Sequence, residues 1–212
     1  MSEVNCIIRI SAASVLSAVD FAAVSDLRYY LAGVHVTPNA EGGASATASN
    51  GHILGSFVDP CGHAERAAIL PITKAHKSLL KKGEWVEMDG NGQITIVDAR
   101  EQTLWISPKP EIVAKYPDLK ALVAKRSQWE EGIAAGFSPS LLALIETASK
   151  GRNKYHAVRF FRRKAESEHS VALVTIGTLG FIMIMPMRDG GADAALSVVP
   201  SNLFAPEQEA AA

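Results

Sequence analysis

Apolar and polar positions along this chain change period in a fixed order. Cys6–Ser11 (CIIRIS) alternates and predicts a short strand. Ala12–Ser25 then places Leu16, Val19 and Ala23 on one face of a helix. Tyr29–Thr37 predicts a strand, and after a Gly-rich turn so does Ala44–Ser49. Asn50-Gly51 is a tight-hairpin dipeptide, so His52–Val58 returns beside it.

The same order recurs twice. Ala67–Leu70 predicts a strand, Pro71 and Thr73 open a helix running to Lys82, and Gly83 stops it. Three strands follow, EWVEM, QITIVD and QTLWIS, the first two joined by the turn DGNG. In the third round Gly132–Phe137 leads to a helix with Ser138 as N-cap, Pro139 in its first turn, and Leu141, Leu144, Ile145 and Ala148 along one side. YHAVRFF, SVALVTI and GFIMIMP are again strands. The expected class is α+β, with three strand-helix-strand-strand-strand repeats at about 6–58, 67–107 and 132–187 and the helices on one face of antiparallel sheets.

A connector with two early prolines and scattered charge separates the second repeat from the third. The expected divisions are 1–124 with two repeats, 125–189 with one, and a tail at 190–212 rich in Ala, Gly, Asp and Glu. The composition is 48% hydrophobic and 20% charged, so a sizeable core can be buried. A net charge of −1 restricts any nucleic-acid contact to a local basic patch. The two cysteines, Cys6 and Cys61, lack metal-ligand spacing, and no signal-peptide pattern opens the chain; a reduced, soluble, cytoplasmic protein is expected. No Walker loop, G-x-S-x-G or H-E-x-x-H occurs, so neither an enzyme nor a resident metal or cofactor is expected.

Six segments, in order, resemble the bacterial DNA polymerase III beta sliding clamp. DLRYYLAGVHV (26–36) is similar to that family's Arg-x-Tyr-Leu-x-Gly strand, and ATASNGHILG (46–55) to its Ala-Thr-Asp-Gly-His-Arg-Leu-Ala hairpin. ILP before a basic helix, KYPDLKALV (115–123), FSPSLLALI (137–145) and the closing MPMR (185–188) match the steps that follow. The resemblance covers most of residues 6–188, corresponding to the middle domain and the closing half of the last domain of a full-length clamp. Asn50 and Ile53 replace an Asp and an Arg of the hairpin motif, and Ala124 a proline, which suits a shortened, divergent or phage-type member.

The resemblance implies a processivity factor that holds double-stranded DNA without reading it. It also implies a cleft where polymerases or repair proteins dock a Leu-Phe peptide. By position that cleft takes Arg28, Leu31, Ser49, Gly51, His52, Leu54, Met183, Met185, Pro186, Met187 and Arg188. Methionine adapts to varied apolar partners, and Pro186 ends strand pairing. Taken alone, Met183 and Met185 also read as core positions of a buried strand. Lys74, Lys77, Lys81 and Lys82 form the expected DNA-facing stripe, although a solvated lysine face fits the same pattern. Leu203 and Phe204 in the tail offer an internal, partly matching peptide. Three repeats, where a clamp domain needs two, suggest a homo-oligomer completed through the third repeat. The alternative is a clamp-derived interaction module or regulator that does not encircle DNA.

Overall fold

The computed structural model describes residues 6–24, 26–119, 123, 126–132, 137–150, 158–164, 171–177 and 180–186. The first repeat comprises strand β1 (Cys6–Ser11), helix α1 (Ala12–Val19), and strands β2 (Val34–Pro38), β3 (Ala44–Ser49) and β4 (Ile53–Asp59). A two-residue strand β5 (His63–Ala64) precedes the second, which comprises β6 (Ala68–Leu70), α2 (Lys77–Leu80), β7 (Trp85–Asp89), β8 (Ile94–Val97) and β9 (Thr103–Ile106). The third comprises β10 (Trp129–Glu131), α3 (Pro139–Lys150), β11 (Val158–Arg163), β12 (Ala172–Ile176) and β13 (Gly180–Ile184).

The strands make two antiparallel sheets, ordered β5-β1-β7-β8-β9 and β10-β11-β12-β13-β4-β3-β2-β6. The first two repeats therefore exchange their opening strands. β1 lies beside β7 of the second repeat, and β6 lies beside β2 of the first. The third repeat joins the larger sheet through β13, which pairs with β4 from Gly180↔Phe57 to Ile184↔Ile53. One apolar core runs through all three repeats, including Ile8 and Ile10 of β1, Val15 and Val19 of α1, Phe57, Ile94, Ile145 and Ile182.

Local chemistry shortens three predicted elements. α1 stops at Val19 rather than Ser25, because Phe21 turns inward to full burial against the ring of Phe57, 5.9 Å away. The predicted strand 29–37 begins as a 3-10 turn, Tyr29–Leu31, closed by Leu31 N–H donating to the Arg28 carbonyl at 2.8 Å; the strand proper is β2. The predicted helix up to Lys82 is a 3-10 turn (Lys74–His76) followed by α2. Thr73 N–H donates to His76 Nδ1 at 3.1 Å, and the N–H groups of Lys82 and Gly83 close on the Leu79 carbonyl. This tight winding buries Ile72 and Leu80 and leaves Ala75 exposed. The strand before α3 is Trp129–Glu131 rather than 132–137, of which 133–136 lie outside the described residues. No helix among the described residues is long and apolar enough to cross a membrane.

Candidate functional site

The β3–β4 turn is built by side chains as well as by backbone. Asn50 Oδ1 accepts from the N–H groups of His52 and Ile53, each at 3.0 Å. Ser49 Oγ accepts from Gly51 N–H at 3.1 Å and donates to the Ile53 carbonyl at 3.0 Å. Gly51 sits at φ +88°, where a side chain is strained. The Arg28 guanidinium lies directly over it: a Cβ at this position would fall 2.6 Å from Arg28 Nη2. Arg28 is in turn held by Asp26, whose two carboxylate oxygens accept from Nε and Nη2 at 3.0 and 2.6 Å. Those hydrogen bonds lower the Asp26 carboxyl from 3.8 to about 2 and raise Arg28. A fixed cation thus backs the hairpin turn.

β13 arrives on the other side. Met183 pairs with Leu54, and beyond the strand end Met185 N–H donates to the His52 carbonyl at 2.9 Å. Between hairpin and strand is a recess of about 80 Å³, lined by Ser49, Gly51, His52, Ile53, Leu54, Val171, Met183 and Met185. Leu54 and Met183 are each only 6% exposed and form its floor, while Met185, 47% exposed, and His52 form its rim.

Six of the predicted cleft residues therefore meet at one place: Ser49, Gly51, His52, Leu54, Met183 and Met185. Arg28 stands behind the turn rather than in the recess. Leu31 is 2% exposed in a separate apolar cluster with Ala23, Ile69 and Tyr116. Pro186 is half-buried just past the recess. Met187, Arg188, Leu203 and Phe204 lie outside the described residues. Ile53 and Val171 line the recess and were not anticipated. Ile53 stood out in the sequence only as a substitution, and Val171 opens a strand segment far from either motif.

The connector seals the far edge of the larger sheet. Ile112 N–H donates to the Ile69 carbonyl at 2.8 Å, and Arg66 is paired with Glu111. Tyr116 stacks on His35, with ring centroids 4.3 Å apart. Burial lowers His35 from 6.5 to about 4 and drives the Tyr116 phenol upward.

On the lysine stripe, Lys74, Lys81 and Lys82 are exposed. Lys77 instead donates to both carboxylate oxygens of Asp20, at 3.0 and 2.8 Å. The arginines along β11 are matched by acid: Arg162 pairs with Glu130 and Arg159 with Glu131 on β10. No group of His, Cys, Asp and Glu among the described residues could hold a metal ion.

No protein-family model matches the chain, and no curated protein matches it in sequence. Its fold does match solved structures. The DNA polymerase sliding clamp of Pseudomonas aeruginosa superposes at TM-score 0.61 and 17% identity, covering 85% of this chain and 65% of that one. The beta subunit of DNA polymerase from Streptococcus pyogenes gives 0.57 and 15%, with the same coverages of 85% and 65%. The DNA polymerase III beta chain of Streptococcus pneumoniae gives 0.62 and 13%, over 89% of this chain and 66% of that one. The chain thus spans about two thirds of the length of the clamps it matches. The α+β architecture of two antiparallel sheets is the fold of these bacterial DNA polymerase III beta sliding clamps.

Proposed function

We propose that this protein is a clamp-like processivity factor that tethers DNA polymerases or repair proteins to duplex DNA by holding a short apolar peptide. The recess between the β3–β4 turn and β13 carries this reading. Two segments more than a hundred residues apart in sequence, 49–54 and 183–185, join there around an apolar floor with an adaptable methionine rim. Its 80 Å³ accommodates about six water-sized groups at roughly 10–15 Å³ each, the scale of one leucine or phenylalanine side chain. One anchor of a Leu-Phe pair fits inside, and the remainder of the peptide lies over His52 and Met185.

A fluorescence-anisotropy titration with a labelled Gln-Leu-Ser-Leu-Phe peptide tests this. Micromolar binding is expected, lost in the folded His52→Ala/Met185→Ala double variant. No binding to folded wild-type chain refutes it. The same titration with residues 190–212 deleted tests the tail: tighter binding is expected if Leu203 and Phe204 compete for the recess, and unchanged affinity removes that role.

The Asp20–Lys77 ion pair, together with the absence of any Lys or Arg on α1, favours a second reading, a clamp-derived interaction module that does not encircle DNA. Retention on circular DNA that is lost on linearisation supports the clamp; equal retention on both forms supports the module.

A further inference from the structure

We infer that two copies of this chain associate through their third repeats, each lending its β10 strand to the other. Sheet order is the observation that motivates this. Beside the second strand of each repeat runs one opening strand. Next to β2 it is β6, from the second repeat; next to β7 it is β1, from the first. Next to β11 it is β10, the third repeat's own. The third repeat thus fills with its own strand the slot that the other two fill from a sister, and among the described residues it has no sister left.

The links between strand and helix explain the difference. β1 ends at Ser11 and α1 begins at Ala12, so β1 has no slack between itself and its helix. β6 ends at Leu70, and its helical turn begins at Lys74. β10 ends at Glu131, whereas α3 begins only at Pro139. A link of that length can span roughly 20 Å, at about 3.3 Å per residue, which permits the strand to fold back. The contacts that tie β10 to β11 are equally available to the same strand of a second copy, among them Trp129 under the Arg163 guanidinium, Glu130 to Arg162, and Glu131 to Arg159. Exchange of an identical element costs little in contacts.

The helix layer shows what the second copy brings. α1 packs against both α2 and α3. α3 keeps Leu142 at 38% exposure and Leu141 and Leu144 only half-buried, and Val158 at the start of β11 is 39% exposed. A two-fold related third repeat covers this surface with its own copy and reproduces the two-repeat arrangement of residues 6–107. The inference rests on strand order and not on peptide binding, so the peptide titration and the experiment below fail independently.

The test uses the full chain with Cys6→Ala and Cys61→Ser, leaving no native thiol. In that background Glu130→Cys and Arg162→Cys place two thiols on directly opposed positions of β10 and β11. Light scattering at micromolar concentration is expected to return twice the 22.6 kDa chain mass, and oxidation to give covalent dimers on a non-reducing gel. Leu142→Glu, with secondary structure checked by circular dichroism, is expected to return a monomer. A monomeric mass for the unmodified chain overturns the inference. So do oxidised chains that run singly, since they show β10 paired at home.

Discussion

Gly55 lies at the centre of β4, opposite Ile182 in the junction that carries the recess. A Cβ there would sit 2.6 Å from Phe21 Cδ2 and 2.7 Å from Cε2. Phe21 cannot step aside, because it is fully buried and packed on Phe57. Gly55→Ala therefore overpacks the core, at a cost of about 1–3 kcal/mol. Gly55 is not at positive φ, so alanine also stiffens the unfolded chain and returns about 0.4–1 kcal/mol. The clash wins, and the net loss is about 1–2 kcal/mol, or roughly 2–8 °C in Tm for a chain of this size. Differential scanning calorimetry reads it directly. The reasoning has a second arm: Phe21→Leu makes room for the new methyl, so Gly55→Ala/Phe21→Leu is expected to be more stable than the sum of the singles by about 0.5–3 kcal/mol. A Gly55→Ala Tm within about 1 °C of wild type, or strict additivity of the pair, would refute the packing argument.

Further consequences follow from the site and the seam. Gly51→Ala forces an L-residue into φ +88° against the Arg28 guanidinium, a strain of about 1–2 kcal/mol; weaker peptide binding in the anisotropy assay is expected, partly restored by adding Arg28→Ala. His35 titrates near 6.5 when unfolded and at about 4 when folded, so the unfolded chain binds the extra proton between those values. Its stabilising contribution is complete above pH 6.5 and falls on acidification by up to about 1.4 kcal/mol per pH unit, ending near pH 4. Urea midpoints at pH 7, 6 and 5 should show that slope in wild type and a shallower one in His35→Phe. Lys77→Met leaves the Asp20 carboxylate buried without its cation and should cost about 1.5–3 kcal/mol in urea unfolding. Asp20→Asn instead frees Lys77. Duplex-DNA retention should then steepen in its log–log salt dependence by about one, and an unchanged slope would remove Lys77 from any DNA-facing surface.

Much of the site was legible because its parts are local. Asn50-Gly51 announced the hairpin, and the turn is indeed wound around the Asn50 side chain. Ser138-Pro139 announced the start of α3. Side chains that meet across the sheet were not legible. Ile53 and Val171 join the recess only because β13 pairs with β4. The lysine stripe was read from helical spacing, and Lys77 is withdrawn from it by an aspartate 57 residues away. The arginines of β11 are partly neutralised by glutamates of β10 some thirty residues away, a pairing that only the sheet sets up.

By itself, the sequence determined the repeating unit. Alternation at period two, helical spacing at 3.6 and the turn residues between them act over a few residues and need no partner. They set strand, helix and three strands, three times over. Only the tertiary structure decided which strand lies beside which: β1 with β7, β6 with β2, β13 with β4 and β10 with β11. The edges of short antiparallel strands offer nearly interchangeable rows of N–H and C=O groups. Choice among them falls to the length of the links and to the side chains that must share a core, and both act at long range.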